Sequence, residues 1–450
     1  MVRSERGFLG TFLHAPQRGA LECLKDTLII VGADGGISAV HRHDSPQGRT
    51  QSARLAAAGS LLRMKPDCYV LPGMVDLHVH APQWPQLGTA LDLPLEDWLQ
   101  KFTFPLESRY SDTVFAARVY ESLVASLLAN GTTTALYFGT IHLPATKALA
   151  DICLRRSQRA LIGRVAMDNP DQCPDFYRDG SAELAERETR EFIAYVKSLP
   201  EAEGLIFPVI TPRFIPSCTD ELLRRLGNLA RESGCHVQTH CSESDWEHQY
   251  VLERCGRSDA AALDSFGLLS RRTVLAHGNF VSDADGRLIA ARGAGIAHCP
   301  LSNVYFSDAV FPLRRMLEAG VHVGLGTDIA GGASASLLEN ARHAVIASRL
   351  LEAGVDPRQE RAQRRNPDSR IDALTAFWLA TAGGGIALDL PVGLFAPGYQ
   401  FDACVIDTTV AHSNLRVAPE DSPEAVLQKI IYEAARANIT QVWVANRLVT

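Results

Sequence analysis

The chain lacks several marks of common function classes, and each lack narrows the reading. Its ten cysteines include no Cys-x-x-Cys pair, and most sit inside apolar segments, as Cys235 and Cys404 do. That pattern reads as reduced thiols in a cytoplasmic protein rather than a disulfide frame. No apolar run approaches the length of a membrane span, and the first ten residues hold no long apolar core, so neither a spanning helix nor a signal peptide is expected. There is no excess of positive charge. With 44 Lys and Arg against 51 Asp and Glu, the net charge of −7 argues against nucleic acid as a partner. Lysine is scarce beside arginine, and the arginine-rich stretch from Gln359 to Arg370 reads as a solvated loop. Internal repeats and low-complexity segments are absent. So are His-Glu-x-x-His, Pro-Cys-x-x-Cys, Gly-x-Ser-x-Gly and any glycine loop with a phosphate-binding lysine.

What is present begins with Leu-Pro-Gly-Met-Val-Asp-Leu-His-Val-His-Ala-Pro-Gln, residues 71–83. Val75, Leu77 and Val79 alternate with Asp76, His78 and His80, which is strand periodicity. Both imidazoles therefore fall on one face, one pleat apart, where they can grip a metal at the strand's end. A buried pair of hydrogen-bonded histidines gives the same local pattern, so the rest of the chain has to decide.

From residue 71 onward, apolar strand candidates alternate with helical patterns. The candidates are 75–80, 132–138, 160–167, 205–211, 236–240, 273–277, 295–298 and 321–327. Amphipathic stretches lie between them, at 114–128, 182–196, 220–231 and 312–318. Eight such repeats predict a (β/α)8 TIM-type barrel, an α/β fold. The rival, a doubly wound open sheet, lacks its Gly-x-Gly-x-x-Gly after any strand. The chain is long enough, and at 46% hydrophobic apolar enough, to bury such a core. Before residue 70 the pattern is short strands and turns, including an apolar run at 28–31, and residues 53–62 have the look of a short helix. After 390 strands return, at 401–407 and 441–449. Residues 1–70 and 391–450 are thus expected to form one small β-sandwich domain beside a barrel of residues 71–390.

Active sites of such barrels sit at the C-terminal ends of the strands. Those ends place His78 and His80 on strand one, Arg213 after strand four, His240 on strand five, His277 on strand six and Asp328 after strand eight. Imidazoles with a carboxylate suit zinc, or iron in its ferrous form. Singly, His240 and His277 have the ordinary reading of core histidines, and Asp328 that of a turn cap. Jointly, five such residues at strand ends of one barrel are hard to ascribe to chance. Glu243, three residues past His240, stands where a carboxyl group can reach a substrate as acid–base partner without binding metal. Its bland reading is an exposed helix-start glutamate held by the helix dipole.

With these residues in view, the chain resembles the amidohydrolase superfamily and, within it, the guanine deaminase family. The resemblance spans nearly the whole chain. It rests on Pro-Gly-Met-Val-Asp-Leu-His-Val-His, on His240, His277 and Gly-Thr-Asp328, and on His80-Ala81-Pro82-Gln83. Asp92-Leu93-Pro94-Leu95, Trp98-Leu99, Phe104-Pro105, Asn130-Gly131-Thr132-Thr133-Thr134 and Thr211-Pro212-Arg213-Phe214 also match. It implies one zinc per chain, a homodimer, and hydrolysis of the purine base guanine to xanthine and ammonia, with neither membrane nor nucleic acid as partner. Carried over by position, it implies His78, His80, His240 and Asp328 as zinc ligands, with His277 at the metal or its water. Gln83, Arg213 and Phe214 fall where the family holds the purine, beside His240, His277 and Asp328. Asp328 and His277 would take the water's proton, and Glu243 would protonate the ring nitrogen next to the attacked carbon. Two positions depart from the family pattern, Leu301 and Ser244; neither removes a ligand, and both are expected at the rim of the site. Two rivals remain: another amidohydrolase-type deaminase acting on a triazine, nucleoside or modified purine, and a non-catalytic barrel serving as a binding protein. The second is disfavoured because every candidate ligand and Glu243 are present.

Overall fold

The computed structural model describes residues 4–200, 202 and 204–450; residues 1–3 of the expected N-terminal β-segment lie outside the described residues. The chain first lays down β1 (Arg6–Gln17), β2 (Ala20–Val31), β3 (Ile37–Arg42), β4 (Leu61–Arg63) and β5 (Cys68–Pro72). β1 and β2 are far longer than their apolar core at 28–31 suggests, because the outer part of β2 carries exposed charge that hides its alternation. The helix expected over 53–62 instead spans Pro46–Ala57. Ser45 caps it by accepting a bond from Gly48 N at 2.9 Å, and Pro46 supplies the preset φ of a first turn.

Eight strands follow: β6 (Met74–His80), β7 (Thr132–Phe138), β8 (Arg159–Ala166), β9 (Ile206–Pro212), β10 (His236–Cys241), β11 (Thr273–His277), β12 (Gly295–His298) and β13 (His322–Leu325). Each pairs in parallel with the next, in sequence order. The segment after β13 closes the ring against β6, through Asp328 N donating to His78 O and His80 N donating to Ile329 O, both at 2.8 Å. The result is a (β/α)8 barrel. Its strands are buried on both faces, as β7 is along its whole length, which is why they read as apolar runs. Outer helices such as Thr113–Ala129, Ala182–Ser198 and Asp220–Ser233 are each capped by an Asp, Ser or Thr side chain.

The chain then returns to the first sheet through β14 (Ala403–Asp407), β15 (Ile439–Val444) and β16 (Arg447–Leu448). The sheet runs β16-β15-β14-β5-β1-β2-β3, with β4 on β1, so both chain ends interleave in it. The strand expected over 441–449 is a tight hairpin. Ala445 and Asn446 take φ of 44° and 66°, a two-residue turn that the Ala-Asn pair does not advertise. Phe8, Phe12, Val70, Phe401 and Trp443 pack together on one side of this sheet. Leu55, on the Pro46–Ala57 helix, joins Leu9, Leu28 and Ile30 in a separate cluster. Among the described residues, no helix is long and apolar enough to cross a membrane.

Candidate active site

The strand ends bring His78, His80, His240, His277, Glu243 and Asp328 together at the C-terminal mouth of the barrel, all of them buried. His78 Nε2 lies 3.1 Å from Asp328 Oδ1, and His80 Nε2 lies 3.6 Å from the same oxygen. His277 Nε2 is 4.0 Å from Asp328 Oδ2 and 3.5 Å from Glu243 Oε1. His277 and Asp328 both adopt left-handed backbone, with φ of 73° and 50°. For non-glycine residues that conformation is uncommon and concentrates at functional positions. Gly326 makes the approach of the last strand feasible. A Cβ there would stand 2.8 Å from His78 Cβ and 2.9 Å from Cys299 Sγ.

The donor set fits a cation. His240 Nδ1 donates to Arg213 O at 2.6 Å, and His277 Nδ1 donates to Asn303 Oδ1 at 2.9 Å. Each bond fixes the tautomer and leaves Nε2 with a lone pair facing the cluster. Burial, reinforced by the neighbouring imidazoles and Arg213, holds His78, His80 and His240 well below the ordinary histidine value; burial lowers His277 as well. His78 Nε2 and His277 Nε2 are buried and find no hydrogen-bond partner among the described residues. His80 Nε2 and His240 Nε2 face each other at 3.0 Å. Neutral nitrogen lone pairs gathered around one carboxylate suit a divalent cation such as zinc.

Beside the cluster lies a small, narrow pocket. Gln83, Arg213, Phe214 and Glu243 line it with His80, His240 and Asp328, while Leu95, Trp98, Leu99 and Phe306 supply apolar walls. Burial and the nearby Asp328 push the Glu243 carboxyl well above the usual carboxylate range. Its backbone is held on both sides, N donating to Glu247 Oε2 at 2.7 Å and O accepting from Asn279 Nδ2 at 2.9 Å. The guanidinium of Arg213 forks onto buried Glu107, with Nη1 to Oε2 at 2.7 Å and Nη2 to Oε1 at 3.2 Å. Gln83 Nε2 donates to the same carboxylate at 2.9 Å, and Gln83 Oε1 accepts from Ala330 N at 3.2 Å.

Residues 69–449 match the amidohydrolase family. The chain belongs to the amidohydrolase family. A probable guanine deaminase of Schizosaccharomyces pombe is 36% identical over 450 residues, covering 98% of this chain and 83% of that one. Human guanine deaminase is 35% identical over 450 residues, covering 98% and 96%. Among solved structures, guanine deaminase from C. acetobutylicum with bound guanine in the active site superposes with a TM-score of 0.88. It is 29% identical and is covered completely by 99% of this chain.

Within this amidohydrolase, His78, His80, Gln83, Arg213, Phe214, His240, Glu243, His277 and Asp328 all lie at the barrel mouth, and Glu243 is not an exposed helix-start glutamate. The helix begins at Asp245 with Ser244 as its cap, and Glu243 precedes it, buried. Ser244 accepts from Glu247 N at 3.2 Å, so its departure from the family pattern is a change of helix cap. Leu301 lines a separate cavity with His343, Ile346 and Leu350, away from the pocket. Three supporting residues escaped the sequence reading. Asn303 sets the His277 tautomer, and Glu107 ties Gln83 to Arg213. Asp76 accepts from Thr327 N at 2.9 Å, Thr327 Oγ1 at 2.6 Å and His78 N at 3.2 Å, clamping the closing strands. Asp76 shares the alternation of the two histidines, and that face was its one available signal.

Proposed function

We propose that this amidohydrolase hydrolyses guanine to xanthine and ammonia with one zinc per chain. The observation that carries the reading is the pocket itself. A fully buried wall of hydrogen-bonding groups, Gln83 and Arg213, faces the buried Glu243 carboxyl and a cation-competent cluster, with Phe214 as an apolar face. A flat, neutral, polar heterocycle matches that lining. Guanine deaminases with bound guanine and full-length coverage support the same substrate.

His78, His80, His240 and Asp328 would hold the metal, with His277 at the metal or its water. When bound, such a cation supplies a Lewis acid that brings the pKa of water toward neutrality. Asp328 and His277 orient the attacking water and take its proton. Glu243 gives its proton to the ring nitrogen adjacent to the attacked carbon, so that charge does not accumulate on the ring. Glu243 then takes the proton of the new hydroxyl as the carbonyl forms, while the proton held by Asp328 passes to the amino group, which leaves as ammonia. Arg213 and Gln83 hydrogen-bond the polar edges of the purine, and Phe214 packs on the ring.

The reading extends to a homodimer, a cytoplasmic location and a place in purine breakdown. Val304, Tyr305, Ile346, Leu350 and Val355 expose apolar surface suited to a second copy, and ten free thiols suit a reducing compartment. The test is to incubate metal-analysed protein with guanine and follow ultraviolet absorbance and ammonia. Conversion that a chelator abolishes and zinc restores is expected. A fully metallated protein that leaves guanine intact moves the substrate elsewhere, toward another aminopurine or a triazine.

A further inference from the structure

We propose that Glu107 is the positioning residue for purine recognition, holding both Gln83 and Arg213 in the orientation the base requires. This rests on the reading above that the base lies against those two side chains. Glu107 itself does not line the pocket and acts through them. It sits on the short helix Phe104–Ser108 with no solvent exposure. A carboxylate so buried is costly unless its oxygens are bonded. Here Arg213 takes both oxygens and Gln83 shares one.

Three consequences follow for the pocket. The fork onto Glu107 uses one N–H from each terminal nitrogen of Arg213, and the guanidinium lies 5.1 Å over the Phe104 ring. Its remaining three N–H groups are therefore held in one plane and one orientation. Second, a carboxamide by itself flips between two faces. Glu107 on Nε2 and Ala330 N on Oε1 decide which end of Gln83 is which, leaving one N–H and one lone pair for a ligand. Third, the Glu107 charge offsets that of Arg213, so the wall offers donors without net charge. A neutral base is favoured over an anionic ligand. Glu107 also belongs to the segment that follows Leu95, Trp98 and Leu99, so the cap of the pocket and its recognition wall are tied together.

The test is Glu107→Gln, which keeps the shape and removes the charge. The expected result is a KM for guanine raised at least about tenfold, with kcat changed by less than about threefold and metal content unchanged. The crystal structure of this variant should show Gln83 or Arg213 displaced from its rotamer. Glu107→Asp, with the carboxylate drawn back one methylene, should give an intermediate KM, and it carries the test if the Gln variant does not fold. An unchanged KM overturns the proposal, as does a loss of kcat in proportion to metal content or stability. Should the metallated wild type leave guanine intact, the substrate reading fails alone. The rotamers in the Glu107→Gln structure then decide the positioning role by themselves, and undisturbed side chains overturn it.

Discussion

At the scale of the residue, the proposed chemistry turns on two buried acids with different neighbours. Glu243 is buried and shifted upward by its burial and by Asp328. Asp328 sits among imidazoles, within 3.1 Å of His78 Nε2. Burial raises Asp328 as well, to about 6, with the His277 imidazole beside it drawing it back down. Glu243→Gln keeps the volume and loses the transferable proton. Turnover of guanine should fall by about 10²–10⁴-fold while bound metal, measured by mass spectrometry, stays at the wild-type level. Retained turnover would remove Glu243 from proton transfer. His-x-His, the late histidines and Gly-Thr-Asp were legible because each lies at the end of an apolar strand. Asn303 was not, because nothing in Cys-Pro-Leu-Ser-Asn says that its amide will meet His277 across 26 positions.

At the scale of the element, the site depends on how closely the last strand approaches the first. β13 ends at Leu325, and Gly326 lets the backbone pass against His78 before Asp328 turns into the mouth. Asp76 then bolts that passage shut through Thr327. Gly326→Ala places a methyl group where the His78 and Cys299 side chains stand, an overpacking that costs about 1–3 kcal/mol. The expected outcome is a moderate loss of thermal stability together with metal lost on dialysis against a chelator that the wild type withstands. Full retention of metal would mean that the strand end yields without moving His78. The barrel strands themselves were readable to within a few residues, since a strand buried on both faces is a plain apolar run. The N-terminal strands were poorly readable, since half of β2 lies in solvent and carries charge.

At the scale of the whole molecule, the barrel and the sheet built from the chain ends are joined by a buried ion pair between Arg159 on β8 and Asp402, just before β14. Asp402 also accepts from Ala445 N at 2.9 Å, and Arg159 Nε donates to Gly204 O at 3.2 Å. The pair spans 243 positions of sequence. Removing one partner leaves the other charged, dry and unmatched. Asp402→Ala should therefore destabilise the fold by about 3–5 kcal/mol, read from urea denaturation. The site lies at the opposite, C-terminal ends of the strands, so metal content per folded chain should stay unchanged. A loss below about 1 kcal/mol would mean that water reaches Arg159 once Asp402 is gone.

The sequence by itself determined the barrel, the strand ends that carry the histidines and Asp328, and the family. Those are properties of local periodicity and of short motifs, in which each residue's role follows from its neighbours in the chain. Only the tertiary structure decided which residues hold that chemistry in place. Glu107 meets Arg213 across 106 positions, and Asp76 meets Thr327 across 251. Such contacts exist only once the ring is closed, because barrel closure brings its first and last strands together and folds the segment after β6 over the mouth. A buried carboxylate needs its partners within hydrogen-bond reach, and no pattern along the chain records which distant donors will arrive there.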